Sequence, residues 1–261
     1  MSTKNLELDA HTIITAKRRR LAMRQDQTPA NAVIALANMQ KGSQSILTEV
    51  TNYDDPVKVI GQIRHEEIYD PVGSALRFMR HGIDAVSLFT DSRIYSRGME
   101  DLTFLSKGIN KGIVAQDYIL NAYHVAEVRA AGASGLVIYS AYLDYNQLRD
   151  IVSNTMRWRM TAIIQVNHLD QLADITRLSP HAIAIGDHHI FDKDRDLELI
   201  SELMPHIPPN TRIMPLGCLT TMDDVEAVVS LGVDAITIDE SILRGKFQPE
   251  ALQEVIRNRP Q

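Results

Sequence analysis

The chain has 261 residues, of which 44% are hydrophobic and 23% are charged, and its formal net charge is −6. These values are ordinary for a soluble globular protein, and the negative balance gives no general attraction to nucleic acid or to an anionic membrane. The length is that at which one α/β barrel closes as a single domain. We therefore expect a cytoplasmic protein without a nucleic-acid or membrane partner.

The N-terminal segment carries Glu7 and Asp9 and has no apolar core of signal-peptide length, so we expect no export signal. The basic run "AKRRRLAMR" at 16–24 is open to two interpretations. It is either a nucleic-acid-binding tract or part of an amphipathic helix, and the spacing of apolar residues favours a helix that packs on the domain. Those apolar residues are Ile13, Ile14, Leu21 and Met23.

A recurring unit fills the rest of the chain. In "HGIDAVSLF", "AGASGLVIYS", "SPHAIAIGD" and "LGVDAITID", a Gly or Pro follows a helical pattern and four to six mostly apolar residues come next. This pattern predicts a helix followed by a strand that is buried on both faces. We predict strands at 46–51, 84–89, 112–117, 135–140, 161–166, 181–186, 212–216 and 234–239.

Eight such alternations predict an α/β fold, a single (β/α)8 TIM barrel with an N-terminal extra helix. Neither a G-x-G-x-x-G run nor a P-loop favours an open sheet. We expect a helical extension at 1–45, the barrel at 46–245 and a C-terminal helix at 246–261. The polar segment 51–71 would then join the first strand to the first helix, and its length favours a lid over the site.

Active sites of such barrels lie at the carboxyl ends of the strands. The titratable side chains predicted there are Glu49, Asp117, His188, His189 and Asp239, and lysine is missing. The "GDHHIF" stretch at 186–191 is either a metal-binding cluster or a polar loop, and the loop is favoured because adjacent residues rarely point to one centre. Cys218, the only cysteine, excludes an internal disulfide and is expected to be a packing residue. We predict no metal and no cofactor.

Several phrases together resemble the indole-3-glycerol phosphate synthase family, the decarboxylating, ring-closing barrels of tryptophan biosynthesis. "ILTEV" is similar to that family's first strand, A-E-[IV]-K. The segment "GIVAQDYILNAYHVAEVRAAGASGLVIYSAYL" is similar to its third and fourth strands, and "TTMDDVEAVVSLGVDAITIDESIL" to its close. The resemblance runs from about residue 9 to 245 and implies a lyase of the carboxy-lyase type.

The same resemblance implies that most of the family's catalytic side chains are replaced. Gln116 stands where the family has the lysine that serves as general acid, and Thr51 where it has the strand-one lysine. Gln165 replaces the strand-five glutamate. Further replacements are "NYDDPVK" for the phosphate-binding R-x-S-P-S-x-G, Gly186 for an asparagine, His188 for an arginine, Leu216 for a glutamate, Gly217 for a serine and Asp239 for a glycine.

Three hypotheses follow for the function. The first is a paralogue, or pseudoenzyme, that binds a small molecule at the carboxyl ends of the strands, or a protein partner, after loss of ring closure. The second is a new acid/base enzyme, with or without a metal held by Asp187 and Asp239. The third is a slow genuine synthase. We assign catalytic roles to Glu49 and Asp117, and substrate binding to Thr51, Gln116, Tyr118, Gln165, His188, Gly217 and Asp239.

Overall fold

The computed structural model describes residues 10–42, 46–47, 56–64, 70–92, 96–186, 197–243 and 249–257. Eight parallel strands form one sheet with the order β7-β6-β5-β4-β3-β2-β1-β8. The strands are β1 Lys58–Ile63, β2 Ala85–Phe89, β3 Gly112–Gln116, β4 Gly135–Tyr139, β5 Thr161–Val166, β6 Ala182–Ile185, β7 Arg212–Pro215 and β8 Ala235–Asp239.

The segment after β7 pairs with β8 and brings the two ends of the sheet together. Leu219 forms an isolated parallel bridge with Ile238, and its N–H donates to the carbonyl of Thr237 over 2.7 Å. The helices between the strands are α3 Pro71–Arg80, α4 Gly98–Gly108, α5 Ala122–Ala130, α6 Tyr145–Arg157, α7 Leu169–Arg177, α8 Leu197–Leu203 and α9 Met222–Val229. Two helices precede the barrel, α1 Ala10–Gln27 and α2 Ala30–Met39, and α10 Pro249–Arg257 follows it. The (β/α)8 TIM barrel predicted from the sequence is confirmed.

The predicted first strand is wrong. Ile46 and Leu47 form a bend outside any strand, and β1 lies at Lys58–Ile63, inside the segment that we took for a long loop. The phrase "KVIGQI" has few of the apolar residues expected of a fully buried strand, because Gly61 and Gln62 interrupt it. The other seven strands lie within two residues of their predicted bounds at each end.

Gly61 gives β1 its contact with α3. A Cβ at this position would lie 2.4 Å from the ring of Phe78, so the ring packs directly on the backbone of the strand. The repeated turns before the strands also need their glycines, since Gly132 and Gly232 adopt φ values of 104° and 86°. In the "SPHAIAIGD" unit Ser179 takes this left-handed position instead, with φ of 49°.

Alternation along the strands separates two sets of buried side chains. One set faces the helices, and the other, with Ile60, Val114, Val137, Ile163 and Met214, faces the barrel axis. Helix α1 joins the second set through Ile13, Ile14 and Leu21, whereas Met23 is exposed. The basic run therefore forms a helix that packs on the barrel, as we predicted. Of the helices described, none is both long enough and apolar enough to cross a membrane.

Candidate functional site

Three polar side chains form a network across the first three strands. Gln62, Ser87 and Gln116 lie two residues along their strands from Ile60, Ala85 and Val114, so they share the face that points to the barrel axis. Gln116 donates from Nε2 to Oε1 of Gln62 over 2.7 Å and to Oγ of Ser87 over 3.2 Å. Ser87 donates to the same Oε1 over 2.9 Å. One acceptor oxygen thus receives two donors, and all three groups are uncharged.

The position of β1 changes the comparison with the family pattern A-E-[IV]-K. The pattern fits Gly61, Gln62, Ile63 and Arg64 at the carboxyl end of the strand, not "ILTEV". Gln62 then stands at the glutamate position and Arg64 at the lysine position. Glu49 and Thr51 lie outside the described residues, and the strand that was the basis for choosing them is wrong. The sequence analysis therefore missed Gln62, which faces the barrel axis, and Arg64, which follows β1.

Arg64 brings a positive charge to the mouth of the barrel. Its Nε lies 3.0 Å from a carboxylate oxygen of Asp239, and the two side chains are 28% and 9% exposed. The strands β1 and β8 are neighbours, with Gln62 paired to Asp239, which sets this contact. The other Asp239 oxygen accepts from the N–H of Ser241 over 2.8 Å. Asp239 is thus paired rather than a free carboxylate that would repel an anion.

Asp117 points into a buried charged cluster beneath α1. One of its oxygens accepts from Lys17, and the other accepts from Oγ1 of Thr90 over 3.0 Å and lies 3.4 Å from Nε2 of His124. Lys17 also donates to Asp91 over 2.8 Å. Asp91 follows β2 and Asp117 follows β3, so α1 is fixed across the carboxyl ends of both strands. Lysine 17 is distant in sequence, and no pattern in the chain points to it.

The surroundings of Asp117 favour its ionised form. Burial by itself would raise the pKa of this carboxyl, but the charge of Lys17 and the hydrogen bonds from His124 and Lys17 outweigh it. The pKa of Asp117 is consequently held well below its ordinary value of 3.8. Such a carboxylate holds a helix in place well but is a weak base near neutral pH.

Tyr118 belongs to an aromatic cluster. Its ring centroid lies 5.2 Å from that of Tyr139 and 5.3 Å from that of Tyr142, and the side chain is 2% exposed. Burial raises the pKa of Tyr139 well above its ordinary value, and the neighbouring Tyr118 and Asp117 add smaller contributions. Packing on neighbours therefore accounts for most of the Tyr118 surface.

Gln165 of β5 also faces the axis and is fully buried. Its Nε2 donates to the carbonyl of Gly186 over 2.8 Å, and its Oε1 has no hydrogen-bond partner among the described residues. Gly217, after β7, has φ of 105° and open space where a Cβ would lie. Cys218 is buried, in keeping with a packing role.

The stretch "GDHHIF", for which a metal cluster and a polar loop were both considered, begins directly after β6. His188 and His189 lie outside the described residues, as do the neighbouring positions 187 and 190–196. Within the part of the chain that is described, no group of three or more His, Cys, Asp or Glu side chains is arranged to hold a metal ion.

Sequence comparison agrees with the geometry. The model of the indole-3-glycerol phosphate synthase family matches residues 10–255. A protein of Oceanobacillus iheyensis named indole-3-glycerol phosphate synthase is 24% identical over 242 residues, covering 92% of this chain and 90% of that protein. The synthase of Kineococcus radiotolerans is 23% identical over 256 residues, covering 94% and 93%. The chain belongs to the indole-3-glycerol phosphate synthase family.

Proposed function

We propose that this barrel binds a small molecule at the carboxyl ends of its strands and has lost efficient ring closure. The observation that carries the proposal is the amide of Gln116, held by Gln62 and Ser87 at the position where the resemblance implies a catalytic lysine. A carboxamide donates a hydrogen bond but cannot deliver a proton at neutral pH. Loss of a positioned general acid costs on the order of 100 to 10,000-fold in rate.

Two further replacements support the same conclusion. Gln62 and Gln165 stand at positions where the family pattern has glutamates, and both amides are engaged in hydrogen bonds inside the barrel. The uncharged amides of Gln62, Gln116 and Gln165 thus stand where the resemblance implies two glutamates and a lysine. Because such effects are not additive, we expect slow residual turnover rather than its complete absence.

Two carboxylates near the mouth, among the residues described, are engaged in pairs. Asp117 is bound to Lys17, and Asp239 to Arg64. This argues against a new acid/base enzyme that uses Asp117 as its base. A ligand of this pocket would meet neutral amides, and we expect it to carry less charge than the family's substrate, which bears a phosphate and a carboxylate.

One observation favours a second candidate, a slow genuine indole-3-glycerol phosphate synthase. Arg64 keeps a cation at the strand-one position that in the family meets the substrate carboxylate. A guanidinium binds a carboxylate well, so substrate binding would survive even with slow chemistry. In that case the protein remains a carboxy-lyase of tryptophan biosynthesis, and for either candidate we propose a cytoplasmic location.

The deciding experiment is a ring-closure assay on the anthranilate-derived ribulose phosphate, with the Oceanobacillus iheyensis synthase measured alongside. We expect kcat/KM at least about 100-fold below that of the relative. The variant Gln62→Glu/Gln116→Lys/Gln165→Glu, which restores the family's residue types, should recover a measurable part of the rate. Turnover of the unaltered protein within tenfold of the relative would overturn the proposal. Calorimetric measurement of substrate binding distinguishes a protein that binds the substrate without converting it from one that no longer binds it.

A further inference from the structure

A cleft of about 890 Å³ opens at the end of the barrel opposite the candidate site. It lies between the C-terminal end of α2 and the C-terminal end of α4, and we call it the α2–α4 cleft. Its wall includes Ile113 at the start of β3 and Ser134 just before β4, whereas Gln116 lies at the other end of β3. Its volume is within the range of small-molecule sites.

Arg129 forms part of the cleft wall and is 5% exposed. Its Nη1 donates to the carbonyl of Ala133 over 3.0 Å, and its Nη2 donates to the carbonyl of Lys41. Its Nε has no hydrogen-bond partner among the described residues. Burial lowers the pKa of this guanidinium, and its two acceptors among the described residues are neutral carbonyls. A buried cation bound only to dipoles is costly unless an anion compensates it.

Three lysines line the same cleft, namely Lys41, Lys107 and Lys111. The described lining contains no Asp or Glu, although the protein as a whole has more acidic than basic residues. The side chains of Leu36 and Met39 contribute an apolar rim, and Met39 is 80% exposed. Four cations and an apolar edge are therefore gathered in one concave surface.

We propose that the α2–α4 cleft binds a small organic anion, a phosphate ester or a carboxylate, whose apolar part packs on Leu36 and Met39. The lysines and the charge of Arg129 attract the anionic group, and hydrogen bonds from ammonium groups to phosphate or carboxylate oxygens hold it. The proposal is independent of whatever occupies the mouth of the barrel, since none of the described site residues lines this cleft.

The test uses inorganic pyrophosphate as the probe, titrated calorimetrically at constant ionic strength with chloride as the balancing salt. We expect saturable binding that weakens on the order of tenfold in Lys107→Gln/Lys111→Gln, because two charge-assisted contacts are removed. These side chains are exposed or half-buried, so the variant should fold normally. The control Arg149→Gln/Arg157→Gln removes the same charge from exposed positions of α6 and should bind within twofold of the unaltered protein.

Three results would overturn the proposal. One is that pyrophosphate shows no saturable binding beyond the effect of chloride at the same ionic strength. Another is equal weakening in the lysine pair and in the α6 control, which would mean that only the net charge matters. Binding that is unchanged in both variants would assign the anion to another site and would likewise reject the α2–α4 cleft.

Discussion

Oε1 of Gln62 accepts hydrogen bonds from Gln116 at 2.7 Å and from Ser87 at 2.9 Å, so three neighbouring strands meet at one oxygen atom. Both carboxamides occupy positions at which the family pattern has ionisable groups, a glutamate and a lysine. In this protein the two amides pair a donor with an acceptor and carry no charge. The network therefore joins the three strands inside the barrel without a buried charge.

This network should be cooperative. Gln116→Ala or Ser87→Ala alone leaves Oε1 of Gln62 with one donor, and each change should cost about 1 kcal/mol in the free energy of unfolding. The double change leaves a buried acceptor without either donor, and we expect its cost to exceed the sum of the two by about 1 to 3 kcal/mol. Urea unfolding of the four proteins measures the coupling.

The triple variant with Gln62→Met added is the control for the buried acceptor, and it should regain part of the lost stability. Additivity of the two single changes within about 0.3 kcal/mol would contradict the cooperative network.

Lys17 should matter far more to stability than Arg24, although both tie α1 to the barrel. Lys17→Met leaves the buried carboxylates of Asp91 and Asp117 without their shared ammonium group, which should cost about 3 to 5 kcal/mol. Arg24 is 41% exposed where it pairs with Glu127, so Arg24→Met should cost about 1 kcal/mol or less. Chemical unfolding gives both values, and limited proteolysis reports whether residues 10–27 detach. Equal losses in the free energy of unfolding for Lys17→Met and Arg24→Met would contradict the stabilising role of the buried Lys17 cluster.

The stability of the protein in acid should depend on Asp117. Its pKa in the folded state lies below the ordinary 3.8, so its contribution is complete well above 3.8 and is lost progressively as the pH falls from about 5 through the folded-state pKa. We expect the free energy of unfolding of the unaltered protein to drop as the pH is lowered from about 5, and the Asp117→Asn variant to show a shallower drop. Unfolding titrations at several pH values give the two slopes.

The dependence on Lys17 is the internal control for that experiment. In the Lys17→Met background the main attraction on Asp117 is gone and burial still raises its pKa, so the further change Asp117→Asn should no longer make the acid slope shallower. Parallel slopes for the unaltered protein and Asp117→Asn would mean that this carboxylate does not couple folding to pH.

Much of the barrel can be predicted from the sequence because its helix–turn–strand units repeat. The phrases around Gly132 and Gly232 each predict a helix end, a left-handed turn and a buried strand. Seven of the eight strands were predicted from patterns of this kind. The remaining strand, β1 with the sequence "KVIGQI", does not fit the pattern. Its Gly61 is explained by the Phe78 ring from α3, and its Gln62 by partners on β2 and β3. We mistook "ILTEV" for this strand because its apolar residues satisfied the local pattern better.

The sequence by itself determined the alternation of helices and strands, the family and the amides at positions 116 and 165, since these depend on local periodicity and residue identity. Only the tertiary structure decided that Gln62 and Arg64 face the barrel mouth and that Asp117 is bound to Lys17, 100 positions away. The physical reason is that burial and charge pairing arise between segments that are distant in the chain. Chain folding alone brings their side chains within hydrogen-bonding distance.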